Sequence, residues 1–351
     1  MNPFYNRKQR RLRALWRILI QGGLFFMGLA LVGAIVGIVA VFFMAASGQA
    51  DLQILTDQQA ITDMIMSLGS GWFFALNGVG TVIVIVLTFF LAGWLLDRRK
   101  FVDFGFHFSG RWWADFGFGL FLGAILMVFI FLMELAFGWV SIESFFQARS
   151  PIDFLSSILA ALVGFIAVGI YEEMLFRGYH LRNIAEGLNW KRLGPRGALW
   201  IGYILSSSVF GIAHATNPNA TLISTLNIVL AGLFLGVGFV LTGELAIPIG
   251  LHITWNFFQG NIFGFPVSGS NSGTSLITIS QGGPDLLTGG AFGPEAGLIG
   301  ILAMIVGTAL TILYIRQTRG VVRLQTTLAQ YQKPAPKIQT AAESGPDIQP
   351  E

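Results

Sequence analysis

Residues 154–178 read FLSSILAALVGFIAVGIYEEMLFRG, an uncharged apolar stretch that ends in two adjacent glutamates and an arginine. A stretch this long and this apolar is typical of a helix that spans a membrane. Carboxylates are costly at membrane depth, and ionisable residues placed there are functional candidates by default. This segment therefore predicts both a membrane fold and a polar site within it.

The composition of the whole chain indicates the same class of protein. Of the 351 residues, 54% are hydrophobic and 11% are charged, roughly half the charged share of a soluble protein. We predict an all-α fold, a polytopic transmembrane helical bundle whose main partner is the lipid bilayer, with no nucleic-acid partner. The chain has no cysteine, which excludes disulfides, thiolate metal sites and thiol nucleophiles.

About eight apolar segments are long enough to be spans. They are residues 18–46, 72–96, 113–140, 154–179, 197–214, 220–241, 247–264 and 296–315. The first is too long for a cleaved signal peptide, so we expect it to be retained.

The charges of the connecting segments predict the orientation. Basic residues precede the first span, follow the last, and occur in segments 97–100 and 182–196, whereas segments 47–71 and 265–295 contain acids and no Lys or Arg. The positive-inside rule then places both termini in the cytoplasm. We predict an integral multi-pass protein of the plasma (inner) membrane of a prokaryote.

The same features divide the chain into regions. The connection at 265–295 is longer than a plain link needs, so we expect it to pack over the bundle. The regions are a basic cytoplasmic arm (1–17), spans 1–3 (18–149), a core of spans 4–7 (150–264), an outer Gly/Ser-rich loop (265–295), span 8 (296–319) and a cytoplasmic tail predicted to be largely disordered (320–351). The sequence does not specify the oligomeric state.

The two glutamates of the opening segment have different neighbours. Glu173 and Arg177 are four residues apart on one helix, in the order that favours an ion pair, so we expect them to neutralise each other and to act as supporting residues. Glu172 is rotated by about 100° from Glu173 and has no such partner. It is therefore the candidate for chemistry.

Two later segments supply groups that could work with Glu172. FGIAH (210–214) ends in His214, and HITWN (252–256) places His252 and Asn256 four residues apart on one face. A glutamate with a histidine can activate water as a general base, and a histidine with an asparagine amide can stabilise an oxyanion. Alternatively, Glu172, His214 and His252 could bind zinc. The residues alone leave both mechanisms open.

The three segments EEMLFRG, FGIAH and HITWN together resemble the EExxxR, FxxxH and HxxxN motifs of the CAAX-protease and bacteriocin-processing (CPBP, or Abi) family, which includes the Ras-converting CAAX prenyl endopeptidase. The resemblance covers about 150–264 and implies an intramembrane endopeptidase. It implies Glu172 as the water-activating base with His214 as its partner, and His252 and Asn256 as oxyanion stabilisers. It also implies a glutamate mechanism without a catalytic metal. The implied substrate is a membrane-anchored, prenylated or unprenylated peptide or protein, cut near its C-terminus.

This assignment requires a particular arrangement of the fourth and fifth helices. Glu172 and His214 can approach each other only if the fourth helix continues past Arg177 through 180–185, and if the fifth begins outside the lipid or is tilted. We expect a site about 10–15 Å deep, the rise of seven to ten helical residues, that opens to the cytoplasm.

Other functions compete with this reading. A non-catalytic scaffold or immunity protein of the same family would keep the motifs as a folding core, and a proton-coupled transporter would also use buried Glu and His. Ser206, Ser207 and Ser208 are predicted to pack between helices rather than to act as nucleophiles. Glu134 is predicted to make a helix-packing hydrogen bond.

Overall fold

The computed structural model describes residues 2–46, 70–148 and 154–332. The protein is mostly helical (72%), as the sequence predicts. Within these residues, eight main helices follow one another: α1 (Ala14–Ala46), α2 (Ser70–Ala92), α3 (Gly110–Ala136), α4 (Phe154–Leu188), α5 (Gly194–Ala213), α6 (Leu222–Thr242), α7 (Ala246–Phe257) and α8 (Leu298–Arg319). π-Helical segments extend α2 (Gly93–Asp97), lie within α4 (Met174–Leu181) and extend α7 (Phe258–Ile262).

Each predicted span coincides with one of these helices, but six rather than eight are long and apolar enough to cross a membrane. Those six are α1, α2, α3, α4, α6 and α8. Helix α7 has 12 residues before its π segment, a rise of about 18 Å, which is short of a hydrocarbon core of about 30 Å. A count of eight spans and the cytoplasmic placement of the termini therefore stay predictions.

Two small sheets accompany the helices. Strands β1 (Tyr5–Asn6) and β2 (Arg11–Leu12) form a short hairpin, and β3 (Val140–Gln147) pairs antiparallel with β4 (Ser275–Gln281). The third helix was expected to reach residue 140 but ends at Ala136. The following VSIESFFQ is rich in β-branched and aromatic residues, which favour a strand once a partner is present.

The connections lie at two opposite ends of the bundle, which we call the basic end and the loop end. The basic end comprises residues 2–13, 97–109, 182–193, 243–245 and 320–332, and the loop end comprises residues 137–148, 214–221 and 263–297. At the basic end, Arg11 Nη2 pairs with Glu186 Oε2 at 2.6 Å. At the loop end, the Asn217 amide donates to the Ser268 carbonyl at 3.1 Å. Each end is thus held together by its own contacts.

The N-terminal arm is part of the fold, although the sequence suggested only a basic segment. Arg11 and Arg17 are buried and form ion pairs with Asp97, at the end of the α2 π segment, and with Glu186 on α4. The Tyr179 hydroxyl also donates to Asp97 at 2.7 Å. Three segments that are distant in sequence therefore meet in one buried ionic cluster.

The described part of the C-terminal tail also packs on the basic end. Gln325 N donates to the Val240 carbonyl at 2.8 Å, and the Asn189 amide donates to the Ala329 carbonyl at 2.8 Å. Leu328 is buried. The predicted disorder from residue 333 onward, like the acidic connection at 47–69, lies outside the described residues.

Helices α3 and α7 are in backbone contact, which fixes the height of α7 in the bundle. A Cβ atom on Gly119 of α3 would lie 2.4 Å from the Ile247 carbonyl oxygen, and one on Gly250 of α7 would lie 2.4 Å from that of Phe116. Small residues permit this close approach between membrane helices. Because His252 follows Gly250 by two residues, this contact also positions a candidate site residue.

Candidate active site

The glutamate pair lies where α4 changes its geometry. Glu172 and Glu173 complete the first α-helical part, and the π segment Met174–Leu181 follows at once. π-Helical turns occur often at functional sites. The Ser206 hydroxyl on α5 donates to the Phe176 carbonyl in this segment at 2.6 Å, so this serine satisfies irregular backbone and packs between helices.

Arg177 is held by three helices. Its Nη1 donates to Glu173 Oε1 at 2.8 Å, its Nη2 donates to the Gly232 carbonyl on α6 at 2.8 Å, and its guanidinium lies 4.6 Å from the Phe210 ring centroid on α5. Glu173 and Arg177 are both buried. Paired in this way, the two charges compensate each other where water is scarce.

Glu173 has a second partner that the sequence analysis missed. His252 Nδ1 lies 2.8 Å from the same Glu173 Oε1 that accepts from Arg177. Because a carboxylate only accepts hydrogen bonds, His252 Nδ1 carries the proton and the ring is oriented by this contact. The other ring nitrogen, Nε2, then faces Glu172. No short-range spacing could reveal this contact, since the two residues are 79 positions apart.

Glu172 lies beside His252 rather than in direct contact with His214. Glu172 Oε2 is 3.7 Å from His252 Nε2, which is too long for a direct hydrogen bond. That oxygen is buried without a hydrogen-bond partner in the described part of the chain. Among the described residues Glu172 and His214 form no direct hydrogen bond, and the role of His214 as the partner of Glu172 stays a prediction.

His214 caps the C-terminal end of α5. Its Nδ1 lies 2.8 Å from the Phe210 carbonyl oxygen, so Nδ1 donates there and Nε2 is the free nitrogen. The Phe210 ring centroid is 4.7 Å from that of His214 and 6.2 Å from that of His252. One phenylalanine therefore packs against both candidate histidines.

All four predicted catalytic residues line one cavity of about 660 Å³. They are Glu172, His214, His252 and Asn256. Most of the remaining lining is apolar and comes from α1, α2, α4, α5, α6, α7 and α8, with a polar rim at 268–274. Among the described residues that line the cavity, none is Lys or Arg. An apolar cavity with a few convergent polar groups is typical of a ligand or active site.

The helix extension that this convergence requires is present. Helix α4 is uninterrupted from Phe154 to Leu188, so it continues past Arg177 through 180–185 as the sequence predicts. Glu172 therefore lies near the middle of α4 rather than at its end.

The cavity also contains a carboxyl group that the sequence analysis did not single out. Glu295 precedes α8 and accepts hydrogen bonds from Ser268 N, at 2.6 Å, and from the Gln259 amide. Burial raises the pKa of Glu295 to about 7 from 4.5, although both hydrogen bonds lower it. The one sequence signal for Glu295 was its position as an acidic residue beside a Gly-rich loop. Glu134 lies outside the cavity lining and accepts from the Gln281 amide at 3.1 Å.

The alternative zinc site is not formed by the described residues. They contain no group of three or more His, Cys, Asp or Glu side chains arranged to hold a metal ion. His214 Nδ1 is engaged by the Phe210 carbonyl, whereas Glu172 Oε2 lies 3.7 Å from His252 Nε2. The set Glu172, His214 and His252 therefore does not fit a metal in this arrangement.

Comparison with known proteins agrees with the three motifs. Residues 154–258 match the family model described as type II CAAX prenyl endopeptidase, Rce1-like. No curated protein and no solved structure matches the chain. The matched segment begins with α4 and contains EEMLFRG, FGIAH and HITWN. Over residues 154–258, this integral membrane protein is thus similar to the Rce1-like type II CAAX prenyl endopeptidases, which confirms the resemblance drawn from the sequence.

Proposed function

We propose that the protein is an intramembrane endopeptidase in which Glu172 activates the attacking water. The observation that carries this proposal is the convergence of Glu172, His214, His252 and Asn256 on one largely apolar cavity. In largely apolar surroundings, a carboxylate and a few fixed dipoles act more strongly than in bulk water. The match to the CAAX-type family supports a protease at the same coarse level.

The roles follow from the contacts of each side chain. Glu172 takes a proton from water, the water oxygen forms a bond to the peptide carbonyl carbon, and the proton then passes to the leaving amine as the C–N bond breaks. Since Nδ1 is engaged in both histidines, each presents Nε2 to the cavity. The Asn256 amide, together with His252 when it is protonated, donates to the developing oxyanion. Glu173 and Arg177 position His252.

The substrate class follows from the lining and from the family. The apolar walls suit a membrane-anchored peptide or protein tail that carries a lipid group such as a prenyl chain. The family match suggests cleavage near the C-terminus of the substrate. The described cavity lining contains no Lys or Arg that could bind the substrate's terminal carboxylate. A non-catalytic scaffold is not favoured, and a proton-coupled transporter has no observation of its own in its favour.

A cleavage assay with a matched control tests the proposal. Purified protein in liposomes should cut a quenched prenyl-peptide reporter, and Glu172→Gln should abolish cleavage because the amide cannot accept the proton of water. Glu143→Gln makes the same change on β3, where the side chain is exposed, and should cut at the parent rate. Cleavage that survives Glu172→Gln would remove the proposed base.

A second measurement separates the glutamate mechanism from zinc. We expect cleavage to persist after exhaustive chelation, with no stoichiometric metal in elemental analysis. Loss of cleavage on chelation, restored by added Zn²⁺ alone, would instead favour a metal mechanism.

A further inference from the structure

The cavity reaches one end of the bundle and not the other. Its polar rim is formed by Asn217, Pro218 and the segment from Ser268 to Thr274, all at the loop end. Gly71 and Ser157, which also line it, lie in the first turns of α2 and α4 and therefore at the same end. None of the described lining residues belongs to the basic end. A substrate that arrives through water consequently enters from the loop end.

The charges of the two ends differ sharply. In the described residues of the loop end there is no Lys or Arg, whereas Glu143, Asp285 and Glu295 are present. Exposed basic residues of the basic end include Arg7, Lys8, Arg10, Arg98, Lys100, Lys191 and Arg192. Short connections rich in Lys and Arg stay in the cytoplasm. The basic end is thus the cytoplasmic one.

Two predictions from the sequence are incompatible in this fold. Cytoplasmic termini place the basic end in the cytoplasm, because the N-terminal arm and residues 320–332 both pack there. A site that opens to the cytoplasm would instead require the loop end on that side. The charge distribution supports the first prediction and opposes the second.

We propose that the candidate site is reached from the extracytoplasmic face, and that its substrates are peptide segments presented at that face of the membrane. The identity of the substrate rests on the proposed peptidase activity, whereas the sidedness rests only on the cavity and the charges. Entry passes the rim at 268–274, which has serine, asparagine and threonine side chains but no cation. A neutral or basic segment therefore meets no electrostatic barrier beside Glu172 and Glu295.

Cysteine labelling tests the sidedness without any assay of activity. The natural chain has no cysteine, so single substitutions report one position each. Ser270→Cys lies at the exposed rim, and Thr327→Cys is an exposed position at the basic end. In intact cells, a membrane-impermeant maleimide should label Ser270→Cys, and it should label Thr327→Cys only after permeabilisation.

The opposite results would overturn the proposal. Labelling of Ser270→Cys only after permeabilisation would place the mouth in the cytoplasm. Labelling of both variants in intact cells would show that the chain lacks a single orientation, which the proposal also excludes.

A blocking experiment connects the mouth with the activity. An impermeant reporter peptide added outside intact cells should be cut, and a bulky maleimide on Ser270→Cys should lower the rate several-fold relative to the same unlabelled variant. Ser141→Cys is exposed on β3 at the same end, away from the lining, and labelling there should leave the rate unchanged. Outside labelling without any cleavage, even after permeabilisation, would refute the peptidase but not the sidedness. Cleavage that requires permeabilisation would refute the sidedness alone.

Discussion

Glutamine substitutions at the adjacent residues Glu172 and Glu173 should have different effects on stability. Glu173 Oε1 accepts from Arg177 Nη1 and faces His252 Nδ1, each at 2.8 Å, and its side chain is fully buried. Glu172 is partly exposed, and its buried oxygen has no hydrogen-bond partner among the described residues. Removing the Glu173 charge leaves the buried Arg177 guanidinium uncompensated, whereas removing the Glu172 charge removes a carboxylate with an unsatisfied oxygen.

The expected magnitudes differ accordingly. Loss of one partner of a buried ion pair costs about 3–5 kcal/mol, and a glutamine oxygen keeps one of the two contacts, so we expect about 3 kcal/mol for Glu173→Gln. At about 2 °C per kcal/mol for a chain of this size, the melting temperature should fall by roughly 6 °C. Glu172→Gln should change the free energy of unfolding by less than about 1 kcal/mol.

Thermal unfolding of purified protein in one detergent measures both effects, and the reporter assay measures cleavage beside it. Glu172→Gln should lose cleavage at an unchanged melting temperature, while Glu173→Gln should lose both cleavage and stability. In the double variant Glu173→Gln with Arg177→Gln, part of the lost stability should return, because no buried charge is then left unpaired.

Two outcomes would refute this reasoning. Equal melting temperatures for the parent and Glu173→Gln would show that Arg177 does not depend on the carboxylate. A double variant less stable than either single variant would show that shape, rather than charge, dominates the contact.

The remaining predictions concern other contacts. Thermal stability should fall as the pH rises from 4.5 to 7, since folded Glu295 keeps a proton that the unfolded chain releases near 4.5. The change in the free energy of unfolding is at most about 3 kcal/mol. Glu295→Gln should flatten this pH profile, and an unaltered profile would refute the assignment. Asp97→Asn should lower the melting temperature by several degrees because it leaves Arg17 with one carboxylate fewer, and an unchanged value would contradict a buried ionic cluster. Gly119→Ala should reduce both stability and cleavage by displacing α7, whereas Gly117→Ala, where a Cβ would meet no atom within 4 Å, should do neither; equal effects of the two substitutions would argue against the close helix contact.

The sequence predicted the helices well because lipid imposes local requirements. A helix satisfies its own backbone hydrogen bonds, so each span must be one continuous apolar stretch. The pairing of Glu173 with Arg177 is equally local, since residues four apart lie on one helix face. Helix geometry also indicated that Glu172 lacks a local ion-pair partner, because it is rotated by about 100° from Glu173 about the helix axis.

Strand β3 shows where local signals end. Its partner β4 lies more than a hundred residues further along the chain, so nothing within VSIESFFQ identifies the strand with which it pairs. The ion pairs of Arg17 could not be predicted for the same reason, because its partners Asp97 and Glu186 lie far along the chain, at the end of α2 and on α4. Contacts of this kind depend on the order in which helices pack rather than on spacing in the sequence.

The sequence by itself determined the membrane class, the positions of the helices and the residue types available for chemistry. The tertiary structure decided which groups meet: His252 rather than His214 lies beside Glu172, Glu173 orients His252, and the cavity opens at the loop end. The physical reason is that periodicity fixes side chains about one helix axis, whereas the relative rotation and height of two helices come from packing. At this site, the glycine contact between α3 and α7 sets that height.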